Sequence, residues 1–243
     1  MLSKQQVSFI RSLHQKKFRQ MYGKFLVEGD KLVRELLTSH FKVDAIFGMD
    51  AWQNAVDLKK VPFYAVTEAE LAKISTHEAP NQVLAVADIP NPQNGLQLED
   101  ALYIACDNLN DPGNAGTIIR TADWFGIKQV LFSENSVDVY NPKVVSSAKG
   151  SLFRVACTYA DLATLFTANP HLPVYGTFMD GSDIYKAPLT KTGIILIGNE
   201  ANGISAELQP LVKHRIAIPN FGNAESLNAA MAAGIVMSEF RRR

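Results

Sequence analysis

The chain predicts an α/β fold in two parts, and three observations carry that reading. Short apolar runs alternate with stretches at helical spacing along most of the length. The alternation is broken by IPNPQNGLQL, Ile89 to Leu98, which is dense in Pro, Asn and Gly, and then it restarts. In the second part, polar loops follow apolar strands three times, at Asp107 to Arg120, Gly198 to Ser205 and Pro219 to Asn228. Such alternation implies a largely parallel sheet covered on both faces. The expected division is a small α/β domain over residues 1–90, a linker over 91–99 and a larger domain over 100–243.

In the first part, residues 3–13 read as a short helix, and KKFRQMYGKFLVEG mixes basic and aromatic residues before a strand at Phe25 to Val27. Gly29 and Asp30 start a helix, Lys31 to Thr38, with Leu32, Val33, Leu36 and Leu37 at helical spacing. Strands at Val43 to Phe47 and Phe63 to Val66 flank a helix around Ala51 to Leu58. A short helix, Glu68 to Ile74, and a strand, Val83 to Ala87, close the unit. In the second part the strands are Leu102 to Cys106, Gln129 to Phe132, Phe153 to Cys157, Val174 to Phe178 and Gly193 to Ile197. Helices are read at Asn114 to Phe125, Pro142 to Lys149, Leu162 to Thr167 and Ser205 to Val212. A β-branched run, Arg215 to Ile218, stops at Pro219, and an Ala-rich helix follows from about Ser226 to Phe240, capped by Ser226 or Asn223. That closing segment is either an ordinary capped β-loop-α unit or a pocket of backbone donors for a polar or anionic ligand.

The 243 residues, 47% apolar and 20% charged, have ordinary globular composition. No apolar run reaches the roughly 18 residues of a membrane span, and the N-terminal stretch lacks a signal-peptide core. Cys106 and Cys157 are too few for a disulfide framework or a metal cluster and read as buried thiols, so no metal, no membrane and a cytoplasmic location are expected. Formal net charge is zero, but Lys4, Arg11, Lys16, Lys17, Arg19 and Lys24 make the first 24 residues +6 with no acid. That run is either a solvated helix face or the end of the molecule that meets phosphates. On the second reading Lys16, Lys17, Arg19 and Lys24, interleaved with Phe18, Tyr22 and Phe25, bind RNA.

Several chemistries are excluded by their missing residues. No G-x-G-x-x-G follows the first strand of either part, which removes a nicotinamide or flavin site. The run from Gly198 imitates a P-loop but has Ile204 where that loop needs Lys. No H-E-x-x-H or G-x-S-x-G occurs, and His14, His40, His77, His171 and His214 are scattered. In the first polar loop Asp111, Pro112 and Gly113 make a turn, and Asn114 is placed to cap the helix carrying Arg120 on roughly its own side.

The three loops, in this order, resemble the signature motifs of the SpoU/TrmH family of RNA 2′-O-ribose methyltransferases. The matching stretches are DPGNAGTIIRTADWFG with Asn114 and Arg120, IGNEANGIS with Glu200, and IPNFGNAESLNAA with Ser226 and Asn228. VDVYNPKVVSSAKGSLFRV is also similar, and the likeness covers roughly residues 100–240 closely. VEGDKLVRELL is similar to the substrate-binding domain that many members carry, which resembles a ribosomal-protein RNA-binding fold. Departures are small: Asn220 stands where Met is common and Ile204 where Leu is common.

The resemblance implies an α/β-knot, a homodimer with active sites near its interface, and S-adenosyl-L-methionine as cofactor. Gly198, Ile218 and Leu227 would contact that cofactor, largely through backbone groups, with Thr177 and Asn199 close by. Asn114, Arg120, Glu200, Ser226 and Asn228 would carry the chemistry, transfer of a methyl group to a ribose 2′-hydroxyl in structured RNA. Ribosomal RNA is favoured, because the two-domain layout resembles rRNA-modifying members. A transfer-RNA methyltransferase and a non-catalytic RNA-binding or ribosome-assembly protein of the same fold are the alternatives, and a small-molecule enzyme of doubly wound fold is a third. The family assigns Arg120 to the proton-removal step, but a guanidinium is almost never deprotonated, so a clamp on phosphate and developing alkoxide is the role expected here.

Overall fold

In a computed structural model, the structure describes residues 2–58, 60–77, 79–91 and 97–242. In chain order the first elements are α1 (Lys4–Ser12), α2 (Lys16–Tyr22), β1 (Lys24–Glu28), α3 (Asp30–Thr38), β2 (Val43–Gly48), α4 (Asp50–Gln53), β3 (Phe63–Ala65), α5 (Glu68–Ile74) and β4 (Val83–Asp88). There follow β5 (Leu102–Cys106), α6 (Pro112–Trp124), β6 (Gln129–Ser133), α7 (Pro142–Ala148), β7 (Ala156–Ala160), α8 (Leu162–Ala168), β8 (Val174–Asp183), β9 (Gly193–Ile197), β10 (His214–Ala217) and α9 (Ala229–Arg242).

The chain forms two compact units. One holds Met1–Asn91 and, out of sequence, Asp138–Phe153; the other holds Pro92–Val137 and Arg154–Arg243. The sequence division had kept 138–153 with the larger domain, and most of the linker it placed at 91–99 lies outside the described residues.

The first unit is built on a four-stranded sheet in the order β1-β4-β2-β3. It is mixed: β4 runs antiparallel to β1 and β2, while β2 and β3 are parallel. One face packs Leu26, Phe47, Leu84 and Val86 against Ile10, Leu13, Leu71 and Ile74 of α1 and α5 and their flanks. Capping boxes start both helices, Ser3 with Gln6 and Thr67 with Glu70. The inserted segment supplies aromatic packing: Tyr140 meets Phe25 at 4.8 Å between centroids, and Phe153 meets Phe41 at 5.4 Å. Phe25 is therefore core and is not available to RNA.

The second unit is a six-stranded, all-parallel sheet in the order β10-β8-β9-β5-β6-β7. β5 and β9 are buried along their whole length, as central parallel strands covered on both faces must be. Four elements differ from the sequence reading. The segment read as a helix over Ser205 to Val212 holds only a 3-10 turn, Gln209–Leu211, because Pro210 has no N–H to continue a helix. The helix around Ala51 to Leu58 is only α4. Phe153 belongs to a 3-10 turn, and β7 starts three residues later. The strand at Val174 runs on to Asp183, but with a slip: Arg215 pairs with Gly176, whereas Ile216 pairs with Ser182. The intervening residues bulge out at the sheet's carboxyl end.

Candidate active site

Because the sheet is parallel, the carboxyl ends of neighbouring strands lie along one edge, where open α/β sheets bind ligands. In spatial order, β10, β8, β9 and β5 lead there to Ile218, Thr177, Gly198 with Asn199, and Asp107. The three polar loops grow from these ends, and one side chain joins them. Asn114, buried in the first turn of α6, donates from Nδ2 to Glu200 Oε1 of the second loop at 2.9 Å. Its Oδ1 accepts from Asn228 Nδ2 of the third loop at 2.8 Å. A carboxylate only accepts, so Glu200 fixes which end of the Asn114 amide faces it, and the oxygen is left for Asn228.

Each partner is held from behind. Asp111, not Asn114, caps α6, accepting the Asn114 N–H at 2.8 Å; Asn114 sits one turn in, and its side chain is free for the loops. Asn228 starts α9: its Oδ1 accepts the N–H groups of Ala230 and Met231 at 3.0 and 3.2 Å. The helix begins there, not at Ser226, so among the described residues Ser226 and Asn223 cap nothing; in the exposed loop before it Asn220 donates to the Ala224 carbonyl and accepts the Gly222 N–H.

The second loop is rigid. Asn199 and Gly203 exchange backbone hydrogen bonds, both 2.9 Å, and Asn199 Oδ1 accepts from Ala201 and Asn202. A Cβ on Gly198 would lie 2.3 Å from the Gly203 carbonyl carbon, so only glycine lets the loop close on itself. Ile204, where a P-loop would carry Lys, is core. Thr177 Oγ1 donates to the Leu196 carbonyl at 3.1 Å, tying the bulge of β8 to β9.

The sequence reading missed Asp107 and Asn108. Asp107 is buried; its carboxylate accepts the Ser205 N–H at 2.7 Å and the Asn108 amide at 2.8 Å. Asn108, in the left-handed region at φ 51°, offers its carbonyl to Asn199 Nδ2 at 2.7 Å. Together they lock the first loop to the second. The available signal was a carboxylate directly after five apolar strand residues, at a position with no turn to make.

Arg120 is exposed and, among the described residues, has no hydrogen-bond or ion-pair partner. It does not share a side with Asn114: at about 100° per residue, six steps leave the two about 120° apart around the axis. Ser226 likewise forms no hydrogen bond among the described residues, and Ile218 and Leu227 flank the third loop, the first half-buried and the second exposed. Of the basic residues assigned to RNA, Lys16 and Lys17 are exposed. Arg19 is buried against Asp138, and Lys24 is bonded to Asp88 at 2.6 Å and Asp44 at 3.2 Å, so both charges are already answered within the protein. Cys106 is buried and Cys157 half-buried, both free; burial pushes the Cys157 thiol up to about 12 and raises Cys106 further, which makes neither a nucleophile.

The family model described as the SpoU rRNA Methylase family matches residues 101–238, and that described as the MRM3-like substrate binding domain matches residues 4–85. Over 241 residues the chain is 32% identical to the 23S rRNA (guanosine(2553)-2′-O)-methyltransferase RlmP of Bacillus subtilis, covering 98% of this chain and 96% of that one. A putative RNA methyltransferase of the TrmH family from Porphyromonas gingivalis matches with a TM-score of 0.91 at 38% identity, over 100% of this chain and 99% of that one. The SpoU methyltransferase AviRb from Streptomyces viridochromogenes, solved with AdoMet, gives 0.88 at 27% identity, over 99% and 98% of the two chains. With the larger model spanning all three loops that meet at Asn114, the chain belongs to the SpoU rRNA methylase family.

Proposed function

We propose that this protein transfers a methyl group from S-adenosylmethionine to a ribose 2′-hydroxyl of ribosomal RNA. The observation that carries the reading is the junction at Asn114, where three loops from three strand ends converge on one buried amide. The residues present fit the cofactor: the loop closes on itself at Gly198 with no room for a side chain, which leaves its backbone groups uncovered, and Thr177, Ile218 and Leu227 would hold the group from the neighbouring strands and the third loop. When bound there, S-adenosylmethionine supplies an activated methyl group. The chain's own work is alignment and charge. Glu200 and Asn228 hold Asn114, and through it the start of α6; Arg120, on the same helix, clamps the phosphate beside the target ribose and stabilises charge growing on its 2′-oxygen. Ser226, exposed at the third loop and without a hydrogen bond among the described residues, would hydrogen-bond the ribose.

Ribosomal RNA is preferred over transfer RNA because a relative matched across 98% of the chain is named for 23S rRNA. A homodimer fits the exposed apolar side chains on two helices that pack together, Trp124 of α6 and Met231 of α9, 84% and 62% exposed. A knot fits a chain that leaves β9, pairs β10 outside β8 and then lays α9 on α6. Pulled from its ends, a knotted chain extends to less than its full contour length. A cytoplasmic location fits two unpaired thiols.

The experiment is transfer of labelled methyl to unmodified total RNA, wild type beside Arg120→Ala, with cofactor affinity measured separately. Label recovered as 2′-O-methyl ribose, and at least about a hundred-fold less with the variant at unchanged cofactor affinity, is the expected result. Full transfer by Arg120→Ala would remove that residue from the chemistry; no transfer by wild type to any RNA would remove the reaction.

A further inference from the structure

Helix α2 is inverted. A surface helix normally buries its apolar side and shows its charges, and the informative departures are a buried charge and an exposed apolar patch. Here both occur in seven residues. Arg19 points inward at 1% exposure: Nε and Nη2 donate to Asp138 Oδ2 at 2.8 and 2.6 Å, and Nη1 donates to the Leu13 and His14 carbonyls at 2.9 Å each. Four anchored donors set the roll of the helix. At about 100° per residue Lys17 and Met21 lie about 160° from Arg19 and are turned out; Phe18 and Tyr22, at i and i+4, lie about 100° and about 60° away and complete the outward side toward α1. Met21 is 67% exposed and Tyr22 45%.

That face is ordered. The Tyr22 ring stacks on Phe18 at 6.3 Å and 14°, and Phe9 of α1 meets it edge-on at 5.2 Å and 68°. Lys17 Nζ lies 5.8 Å from the Phe18 centroid. Lys4, Arg11, Lys16 and Lys17 are exposed on the two helices, and no acid occurs before Glu28. An aromatic shelf with Lys17 beside it, on two helices whose own residues carry exposed cations and no acid, is complementary to a base and its phosphates, and less so to a protein surface. A duplex hides the faces of its bases; an unpaired base offers one.

We propose that the outward face of α2 is a stacking platform for an unpaired base of the RNA substrate, with Tyr22 under the base and Lys16 and Lys17 on the flanking phosphates. This rests on the RNA reading above and names what part of the RNA this unit takes: single-stranded loop or bulge, not helix.

The test uses the full chain, binding a fluorescent single-stranded oligoribonucleotide and the duplex of the same sequence, with methylation of unmodified ribosomal RNA and sedimentation velocity alongside. Tyr22→Ala should weaken single-strand binding about ten-fold, as loss of one base–aromatic stack does, and duplex binding much less. Tyr22→Phe should retain it, and Lys17→Ala should lower the salt slope by about one. Should Tyr22→Ala not fold, Tyr22→Trp serves: its emission should be quenched by the single strand beyond any change in wild type. Wild-type single-strand affinity in Tyr22→Ala, equal losses for strand and duplex, or unquenched emission from Tyr22→Trp would each overturn the platform while continued methylation left the reaction standing. A smaller sedimentation coefficient for Tyr22→Ala at full RNA affinity would make the face a contact between copies and overturn it too. A wild type that neither binds nor methylates RNA would overturn both readings together.

Discussion

Asn114 and Arg120 stand on one helix and do different kinds of work. Asn114 is buried and bonded twice, and its role can be read from its partners; Arg120 is solvent-facing and unbonded among the described residues, as a group reserved for a substrate should be. The family resemblance pointed to both, yet the reading of helix spacing put them on one side and made Asn114 the cap, because two polar residues near a helix start look alike until Asp111 is seen taking the N–H. Arg19 went wrong for the same reason: in a run of cations, nothing local marks the one whose counter-charge, Asp138, is 119 residues away. That pair yields a prediction. With side chains 2% and 13% exposed, Asp138→Ala should cost about 3–5 kcal/mol by stranding a buried guanidinium, and Arg19→Met with Asp138→Leu should recover much of it. Urea unfolding measures both, and a single variant within about 1 kcal/mol of wild type would refute the claim.

At the scale of elements, the central strands were legible because burial on both faces leaves only apolar residues, as in Leu102 to Cys106 and Gly193 to Ile197. Ends were not, since they depend on caps: α9 starts where Asn228 satisfies two N–H groups, and the equally plausible Ser226 does not. The bulge in β8 was invisible because its cause is a neighbouring strand; a Cβ on Gly181 would lie 2.5 Å from the Ile216 carbonyl carbon. Gly198→Ala should therefore force the second loop open, costing about 1–3 kcal/mol of stability and at least about ten-fold in cofactor affinity, where about 1.4 kcal/mol is one decade. Calorimetry showing wild-type affinity would sink that.

The β1–β4 pair carries a pH signature. Burial pushes the Asp88 carboxyl up, but hydrogen bonds and charge from Lys24 and Lys42 outweigh it and hold it below its ordinary 3.8. Burial likewise pushes Lys24 down, while Asp88 and Asp44 hold it above its ordinary 10.5. A depressed carboxyl gives stability that is complete above its ordinary value and lost as pH falls below it; a raised ammonium gives stability complete below its ordinary value and lost as pH rises above it. The stability difference between wild type and Asp88→Asn should thus be largest and flat between about pH 4 and pH 10 and shrink at both ends. A difference independent of pH would show that the pair acts by packing alone.

For the whole molecule, the alternation of strands and helices announced two parts, but nothing in it revealed that the first borrows residues 138–153 from within the second. Their sequence looks like any loop and helix of the larger domain; the meetings of Arg19 with Asp138, Phe25 with Tyr140 and Phe41 with Phe153 assign them. A fragment of residues 97–243 should accordingly leave Tyr140, Val144, Val145, Leu152 and Phe153 uncovered, bind a hydrophobic dye and self-associate. A monodisperse fragment that ignores the dye would refute this.

The same borrowing sets a clock on biogenesis. As the chain leaves the ribosome, the first unit cannot close its aromatic core when Asn91 emerges; it waits until Phe153 follows. At about 5–20 residues per second, the roughly 60 intervening residues take about 3–12 s. During that interval Phe25 and Phe41 have each other but lack Tyr140 and Phe153, and the nascent chain is the form of this protein that most needs a chaperone.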